Sequence, residues 1–527
     1  MKTLTTQNGL KPTTKRLLAA AAVCGALAMP VSVTAQDASA TQQAQNETYN
    51  TTQWVQTMND VSIATSIQNE FILENKSWYN DVDVRVDDGT ATLSGQVKSL
   101  HQKQVAATLA STVRGVTEID NQIKVKRSGE MTASELTDSV ERALLINTAT
   151  ESFEIDVDAN DKGKVTLSGE VKSFAERTLA ADVAAKTSGV RAIDNQIDVE
   201  YTQDRLASEI RQDIINMYKF DALIDASNID VTVEGDNVTL SGEVGSLAEQ
   251  QRAMMSAYVN GVQYVDYDDL DVQANYNRVG ASDSLTDQEI QDALQNTLLL
   301  NPEVNSTNVD IFVYNDGRAQ LTGDVPTLTA KRTAERLAKE TSGVRRVDNF
   351  LRVDPVNQPD DTRIKRQINQ TLLDNSVTER YEIDAIVDDG SVTLTGEVDS
   401  YLEKWEARDA VASIRGVHSI NNMIDVQRDT TWTYYDPYVY PNVLPDNDDQ
   451  PTDRTTLTSD ADIAEDIESQ FFWSPFVDSD DINVSVDAGV ARLTGTVEDY
   501  AELGAATENA FEGGAIGVDN DLVVTND

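Results

Sequence analysis

The sequence contains very few of the residues on which most catalytic and metal sites depend. Its 527 residues include one cysteine, Cys24, and two histidines, His101 and His418. The histidines lie far apart in the chain, so no Ser-His-Asp order, Cys-His pair or histidine-rich metal spacing can be assembled, and we expect each to be a lone surface residue. The sequence therefore predicts a protein that is not an enzyme and has no catalytic residues, metal ligands or cofactor.

Basic residues are also scarce. Lysine and arginine number 42 against 89 aspartates and glutamates, which gives a formal net charge of -47 at pH 7. A surface of this charge repels the phosphates of nucleic acids, so we predict no nucleic-acid partner. The same charge opposes attraction to an anionic membrane and favours solubility.

Long apolar runs are absent outside the N-terminal region. There, a basic stretch precedes the short apolar run 17–29, and small residues follow at 33–35. This order is typical of a secretory signal peptide, and the run is too short to span a bilayer comfortably. We predict a cleavable signal peptide at 1–35 and an exported mature chain without a transmembrane segment. The alternatives are cleavage after Ala40 and an uncleaved tethering helix.

The single cysteine lies inside this apolar run. A lipid anchor would require a leucine-like residue three positions before it and a small residue directly before it, whereas Ala21 and Val23 stand there. Lipid anchoring is therefore disfavoured. Loss of Cys24 with the signal peptide leaves a mature chain without thiols, which suits an oxidising compartment and excludes disulfides.

The rest of the chain is repetitive. A seven-residue pattern, Val-Thr-Leu-Ser-Gly-Glu-Val in two of its copies, occurs six times, and a second glycine follows 19 or 20 residues after the first. The glycines of the pattern are Gly95, Gly169, Gly242, Gly323, Gly396 and Gly495. The second glycines are Gly115, Gly189, Gly261, Gly343, Gly416 and Gly514. An asparagine follows the second glycine in every copy but one, where Tyr267 takes its place. Such recurrence predicts a tandem array of one unit.

Each unit predicts the same order of elements. Apolar residues four apart, such as Ile290, Leu294 and Leu298, predict a first helix with one core-facing side. An alternating strand, a turn rich in Asp, Asn and Gly, and the glycine-containing strand predict a hairpin. A second helix begins at an N-cap followed three residues later by Glu or Gln, a capping box that the fourth repeat lacks because Ala330 stands there. The predicted N-caps are Ser99, Ser173, Ser246, Thr327, Ser400 and Asp499. A third strand closes the unit.

These patterns predict an α+β fold of six tandem αββαβ units, each a three-stranded sheet packed by two helices. The predicted repeats 1 to 6 occupy 57–127, 131–201, 203–274, 284–355, 361–428 and 459–525. A polar linker at 36–56 precedes them, and an aromatic, proline-rich acidic linker at 429–458 separates the last two. Units of this size are marginal alone, so we expect contact between neighbours, with the first helix as a packing surface. Independent units on short linkers are the alternative, and the oligomeric state is open.

The repeated glycines are interpreted as structural. The glycine of the pattern allows a bulge or a close approach by a helix, and the second glycine allows a left-handed helix C-cap. Calcium is the one metal worth considering, because Asp156, Asp158 and Asn160 form an oxygen-rich turn. The turn lacks the glycine and glutamate that an EF-hand requires at its sixth and twelfth positions, so a solvated acidic loop is preferred.

The unit, with its Val-Thr-Leu-Ser-Gly-Glu-Val strand, capped helix and Gly-Val…Asn ending, resembles the BON domain of bacterial osmotically inducible and nodulation proteins. The resemblance covers 57–427 and 459–525. It implies a periplasmic location in the bacterial envelope, a role in osmotic stress, and binding of phospholipid head groups or chaperoning of envelope proteins as alternative functions. The resemblance implies no particular chemistry.

The linker before the last repeat is unusual in composition. Its five large aromatic residues are interleaved with prolines, whereas a plain linker would be Gly/Ser-rich or charged. These residues, Trp432, Tyr434, Tyr435, Tyr438 and Tyr440, are the predicted binding residues. We expect the linker either to dock onto a neighbouring repeat or to contact an apolar client.

Two functions remain at this point: a stress protein that holds envelope proteins soluble, and a phospholipid-binding module. The net charge favours the first. Small basic clusters in repeats 4 and 5 keep anion contact open, although solvated positions are preferred. These clusters are Lys331 with Arg332, Arg345 with Arg346, and Arg363 with Lys365 and Arg366.

Overall fold

The computed structural model describes residues 60–74, 81–126, 131–151, 153–201, 205–273, 285–304, 308–355, 358–379, 381–399, 401–426, 460–487, 489–515 and 517–525. The predicted signal peptide, the linkers at 36–56 and 429–458, and the predicted N-cap Ser400 lie outside these residues. The five predicted aromatic binding residues therefore lie outside them as well.

Each repeat contains two α-helices in the described part of the chain. The first helices are α1 (Asp60–Glu74), α3 (Ala133–Ile146), α5 (Ala207–Phe220), α7 (Asp287–Leu300), α9 (Asp361–Asp374) and α11 (Asp460–Trp473). The second helices are α2 (Leu100–Ser111), α4 (Phe174–Lys186), α6 (Leu247–Ser256), α8 (Leu328–Lys339), α10 (Tyr401–Ala412) and α12 (Tyr500–Glu512).

Each repeat also contains a three-stranded sheet. The first strands are β1 (Val82–Asp87), β5 (Glu154–Ala159), β8 (Ile229–Glu234), β11 (Val309–Val313), β14 (Asp384–Asp388) and β17 (Ile482–Asp487). The second strands are β2 (Thr90–Val97), β6 (Lys164–Val171), β9 (Asn237–Val244), β12 (Arg318–Val325), β15 (Ser391–Val398) and β18 (Val490–Val497). The third strands are β3 (Glu118–Asn121) with β4 (Lys124–Val125), β7 (Ala192–Val199), β10 (Tyr264–Val272), β13 (Arg346–Val353), β16 (Ser419–Val426) and β19 (Gly517–Val524).

The second strand lies at the centre of every sheet. In repeat 4 it pairs antiparallel with the first strand, with Leu321 opposite Ile311, and parallel with the third, with Leu321 opposite Asn349. The parallel pair requires a crossover, which the second helix supplies. This order confirms the predicted αββαβ fold.

Each core lies between the sheet and the two helices. The predicted residues Ile290, Leu294 and Leu298 of α7 are buried against Leu321 of the sheet. The second helix contributes mainly alanines, such as Ala334. Small side chains let the helix approach the sheet closely, so this small unit can pack without large residues on both sides.

The second helices are capped nearly as predicted. Ser99 accepts a hydrogen bond from the backbone N–H of Gln102, three residues later. The returning bond differs, because the Gln102 side chain accepts from the N–H of Lys98, the residue before the cap. In repeat 4, Thr327 accepts from the N–H of Ala330, which has no side chain to return the bond.

The glycine of the repeated pattern is required by a neighbouring strand, not by a bulge or a helix as expected. Gly95 has a positive φ of 129°, and a Cβ on it would lie 2.0 Å from the carbonyl oxygen of Asp81, just before β1. The second glycine also has the predicted positive φ, 92° at Gly115. However, α2 ends at Ser111, so Gly115 belongs to the following turn. In repeat 6 the prediction holds: Gly514, with φ 95°, comes directly after the C-cap of α12, and the N–H of Ala515 donates back to the carbonyl oxygen of Ala510.

The asparagine of the pattern connects the third strand to the second helix by hydrogen bonds. Asn349 donates to the carbonyl oxygen of Lys331 at 3.1 Å and accepts from the N–H of Leu351 at 3.1 Å. In repeat 3, where Tyr267 replaces this asparagine, β10 has a register shift between Asp266 and Asp269. The exception in the sequence therefore coincides with an irregular strand.

Candidate functional site

Repeats 2 and 5 are joined through their backbones. The residues after the first helix of each repeat contact the residues after the second helix of the other. The N–H of Ser188 donates to the carbonyl oxygen of Asp374 at 2.7 Å, and the N–H of Ser376 donates to that of Lys186 at 2.8 Å. Two isolated β-bridges, Asn147–Ile414 and Thr187–Asn375, join the same regions. Asn147 and Asn375 occupy equivalent positions in their repeats, so the contact is close to two-fold symmetric.

The same two-way exchange recurs between repeats 3 and 4, and one of its two bonds recurs between repeats 1 and 6. Repeats 3 and 4 are joined by the N–H of Ala222 to the oxygen of Glu340 and the N–H of Ser342 to the oxygen of Phe220, both at 2.9 Å. Repeats 1 and 6 are joined by the N–H of Arg114 to the oxygen of Trp473 at 3.0 Å. The pairing is therefore nested, with repeat 1 on 6, 2 on 5 and 3 on 4.

Contacts between neighbours join these pairs. The rings of Phe174 in repeat 2 and Tyr258 in repeat 3 are stacked 3.6 Å apart. Arg191 of repeat 2 donates to the carbonyl oxygen of Val125 in repeat 1, and Leu247 of repeat 3 packs into the core of repeat 1. The described repeats are thus packed together, which rules out independent units on linkers.

Four second helices, α2, α4, α8 and α10, border a central cavity of about 760 Å³. Glu406 of α10 contacts three other side chains here. Its carboxylate lies 3.3 Å from Lys186 Nζ and 3.6 Å from His101 Nε2, and it accepts from Asn375 Nδ2 at 3.0 Å. One carboxylate therefore joins repeats 1, 2 and 5.

The cluster shifts the titration of its members. Burial would raise the pKa of Glu406, but Lys186, His101 and Asn375 outweigh it and lower the pKa to about 2. The Glu406 charge raises the pKa of Lys186. Burial lowers the pKa of His101, so this imidazole is neutral at pH 7. Because the Glu406–Lys186 pair lies between repeats 5 and 2, removal of either partner would leave a buried charge uncompensated at their contact.

A second, partly buried charge cluster lies in the pair of repeats 3 and 4. Arg252 on α6 contacts Asp221 at 2.7 Å and Glu340 at 2.8 Å, and Arg336 contacts Glu340 at 2.9 Å. Burial raises the pKa of Asp221, although Arg252 opposes it. Burial would also raise the pKa of Glu340, but Arg336 and Arg252 outweigh burial and lower this pKa.

A cleft of about 430 Å³ opens on the surface of the same pair, between α5 and α7. Its apolar wall includes Met217, Phe220 and Leu299, and the Leu299 side chain is 61% exposed. Its lining also carries the carboxylates of Asp213, Glu289 and Asp292 and one ammonium group, that of Lys219, which lies 3.8 Å from Glu289. The cleft can therefore accept an apolar group with a positive charge beside it.

The sequence-based expectations for histidine were half right. His418 is exposed, but His101 is largely buried beside Glu406, because α2 packs into the centre of the assembly and not against solvent. Among the described residues, no group of three His, Cys, Asp or Glu side chains could hold a metal ion. No described helix is both long and apolar enough to cross a membrane.

Sequence reasoning missed the interface residues. Glu406 and Arg252 are single charges on second helices, with no counterpart that repeats at the same position in every copy. Charges next to the alanine positions of a helix that packs on a sheet were the available signal. Nothing in the sequence pairs repeat 2 with repeat 5.

The BON domain family profile matches the chain six times, at 59–127, 132–201, 206–274, 286–355, 360–428 and 459–526. Osmotically-inducible protein Y of Escherichia coli (strain K12) is 27% identical over 146 residues, which cover 27% of this chain and 72% of that protein. The 21 kDa hemolysin of Actinobacillus pleuropneumoniae is 30% identical over 121 residues, 22% of this chain and 61% of that protein.

Among solved structures, the C-terminal domain of CdsD, the structural protein of the type III secretion system of Chlamydia trachomatis, aligns over 43% of this chain and all of that chain. Its sequence identity is 18% and its TM-score is 0.12, too low to bear on fold or function. The family matches instead cover most of the sequence, and each coincides with one αββαβ repeat. The chain belongs to the BON domain family.

Proposed function

We propose that this is a non-enzymatic periplasmic stress protein of the osmotic type, which binds envelope proteins and holds them soluble. The observation that carries the proposal is the cleft between α5 and α7, an apolar surface rimmed by carboxylates. A partly unfolded protein exposes apolar side chains, and a strongly acidic surface around the site keeps the complex from aggregating further.

The arrangement of the repeats supports a binding role. Paired first helices lie against each other, α3 on α9 and α5 on α7, and second helices border the central cavity. The cleft between α5 and α7 and the outward sheet faces remain for partners. The titration-shifted groups at the centre are bonded to one another, as Glu406 and Lys186 are, and are not directed at a reactive site. This arrangement suits a protein that binds a partner without a chemical step.

The test is suppression of aggregation of a denatured outer-membrane protein by the full mature chain. Leu299→Gln removes apolar surface from the cleft, while Leu145→Gln changes the equivalent residue of repeat 2, which is 65% exposed. We expect the first variant to lose most of the suppression and the second to retain it. Equal activity of both variants and the wild type would remove the cleft as the binding site.

Phospholipid binding is the second candidate, and one observation favours it. Arg363, Lys365 and Arg366 are exposed on α9, and within the described ranges none has a carboxylate at ion-pair distance. Each such charge near an anionic bilayer contributes about 1 kcal/mol. Sedimentation with vesicles of anionic and of neutral lipid distinguishes the candidates. Salt-sensitive pelleting that is lost when all three are changed to Gln would favour lipid over protein clients.

A further inference from the structure

The outward face of the repeat 4 sheet differs from those of the other repeats. Alternate residues of β11 and β13 point away from the core, and two of them are phenylalanines: Phe312 is 50% exposed and Phe350 is 62% exposed. The position of Phe312 holds Thr232 in repeat 3, and that of Phe350 holds Gln196 in repeat 2. Repeat 5 has the exposed aliphatic residues Ile386 and Met423 there, so the aromatic pair is what distinguishes repeat 4. Exposed aromatic pairs of this kind are typical of binding surfaces.

The charge of this face is also distinct. The outward charged residues of its strands are three arginines and three aspartates: Arg318, Arg346, Arg352, Asp310, Asp324 and Asp348. The same face of repeat 2 has six carboxylates and one lysine: Glu154, Asp156, Asp158, Glu170, Asp194, Asp198 and Lys164. The charges of the repeat 4 face therefore balance, although the whole chain has a net charge of -47. An acidic segment is not repelled by this face.

The linker 429–458 has the complementary composition. Its tryptophan and tyrosines alternate with Pro437, Pro441 and Pro445, and aspartates such as Asp436 lie among them. Proline-rich segments bind aromatic surfaces at low entropic cost, and aromatic rings pair with each other and with guanidinium groups. Repeat 4 already shows one such contact, with Arg318 4.1 Å from the ring centre of Tyr314.

The two repeats that flank the linker both adjoin repeat 4. Arg332 of repeat 4 binds Asp409 of repeat 5 at 3.2 Å. Tyr500 of repeat 6 lies near Arg346: burial raises the pKa of this tyrosine and the Arg346 charge lowers it. The residues between Val426 and Asp460 can span on the order of 100 Å when extended, so the linker can reach the face.

We propose that the linker 429–458 binds the outward face of the repeat 4 sheet in the same chain. Its aromatic residues pack on Phe312 and Phe350, and its aspartates lie beside the exposed guanidinium groups of Arg346 and Arg352. The face is then an internal docking surface that the protein covers with its own segment.

Photo-cross-linking in the full mature chain tests the proposal. A benzophenone amino acid replaces Tyr435, and cross-linked peptides are mapped by mass spectrometry. Phe312→Thr with Phe350→Gln introduces residues that other repeats carry at these positions. The matched control is Ile386→Thr with Met423→Gln, the same positions in repeat 5, which are also exposed.

We expect intramolecular cross-links to β11–β13, reduced at least tenfold by the repeat 4 pair and unchanged by the repeat 5 pair. Cross-links elsewhere, equal loss in both double variants, or cross-links only between two chains would overturn the proposal. Vesicle sedimentation of the same variants separates a membrane as the occupant. Loss of vesicle binding in the repeat 4 variant with cross-links unchanged would assign the face to lipid and refute docking by the linker.

Discussion

Replacement of Glu406 by Gln should weaken the contact between repeats 2 and 5 without unfolding the other repeats. The variant keeps the shape of the side chain but removes the charge that Lys186 and His101 contact. The pKa of Glu406 falls from 4.5 to about 2 on folding, and each unit corresponds to about 1.4 kcal/mol. Lys186 is 40% exposed and therefore partly screened, so we expect a loss of about 2 kcal/mol.

Hydrogen exchange at the pair interface measures this loss. The amides of Ser188 and Ser376 donate across repeats 2 and 5, and their exchange should accelerate about 30-fold, the factor that corresponds to about 2 kcal/mol. The amides of Ala222 and Ser342, which make the same bonds in repeats 3 and 4, serve as the internal control. Unchanged exchange at the first two amides, or equal acceleration at all four, would refute the reasoning.

The pH dependence of this effect has a defined sign. Glu406 has a lower pKa in the folded chain than in the unfolded one, so its ionised form stabilises folding. That contribution is present above the unfolded pKa of 4.5 and is lost as the pH falls towards about 2. The difference in urea midpoint between wild type and Glu406→Gln should therefore shrink below pH 4.5.

Three further outcomes are expected. Arg252→Met should destabilise the pair of repeats 3 and 4 by about 3 kcal/mol, because the two largely buried carboxylates of Asp221 and Glu340 lose their partner. Hydrogen exchange at the Ala222 amide measures this loss, and an unchanged exchange rate would contradict the prediction. Burial raises the pKa of Glu502 to about 7, above its unfolded value of 4.5, so repeat 6 should gain stability as the pH falls from 7 towards 4.5. Glu502→Gln should abolish that dependence in thermal unfolding. Gly95→Ala should cost at least about 2 kcal/mol because its Cβ meets a carbonyl oxygen, whereas Gly504→Ala, with open space around it, should gain about 0.5–1 kcal/mol in urea unfolding.

Local features of the fold were readable from the sequence because they depend on residues close together in the chain. The spacing of Ile290, Leu294 and Leu298 predicts the buried side of α7, and the N-cap Ser99 predicts the start of α2. Predictions of local detail were wrong where the residue contacts an element that lies elsewhere in the sequence. Gly95 is required by the carbonyl of Asp81, which lies just before the neighbouring strand β1, and no local pattern reveals this approach.

The candidate sites were much less predictable. His101 was expected on the surface because nothing in its sequence neighbourhood indicates Glu406, which lies in a different repeat. The cleft of repeats 3 and 4 combines apolar residues from two first helices, and each helix alone presents only scattered exposed residues such as Leu299. The aromatic linker is the one candidate that composition alone identifies, and it stays a prediction.

The sequence by itself determined the number of repeats, their αββαβ order, the scarcity of catalytic residues and the excess of negative charge. Periodicity, capping and composition act within one repeat, so they can be read without coordinates. Only the tertiary structure decided how the repeats associate: 1 on 6, 2 on 5 and 3 on 4. The bonds that join them use backbone groups at helix ends, which every repeat possesses, so side-chain patterns do not specify the partner. Single charges such as Glu406 and Arg252 distinguish one pair from another, and their meaning appears only when the partner repeat is in place.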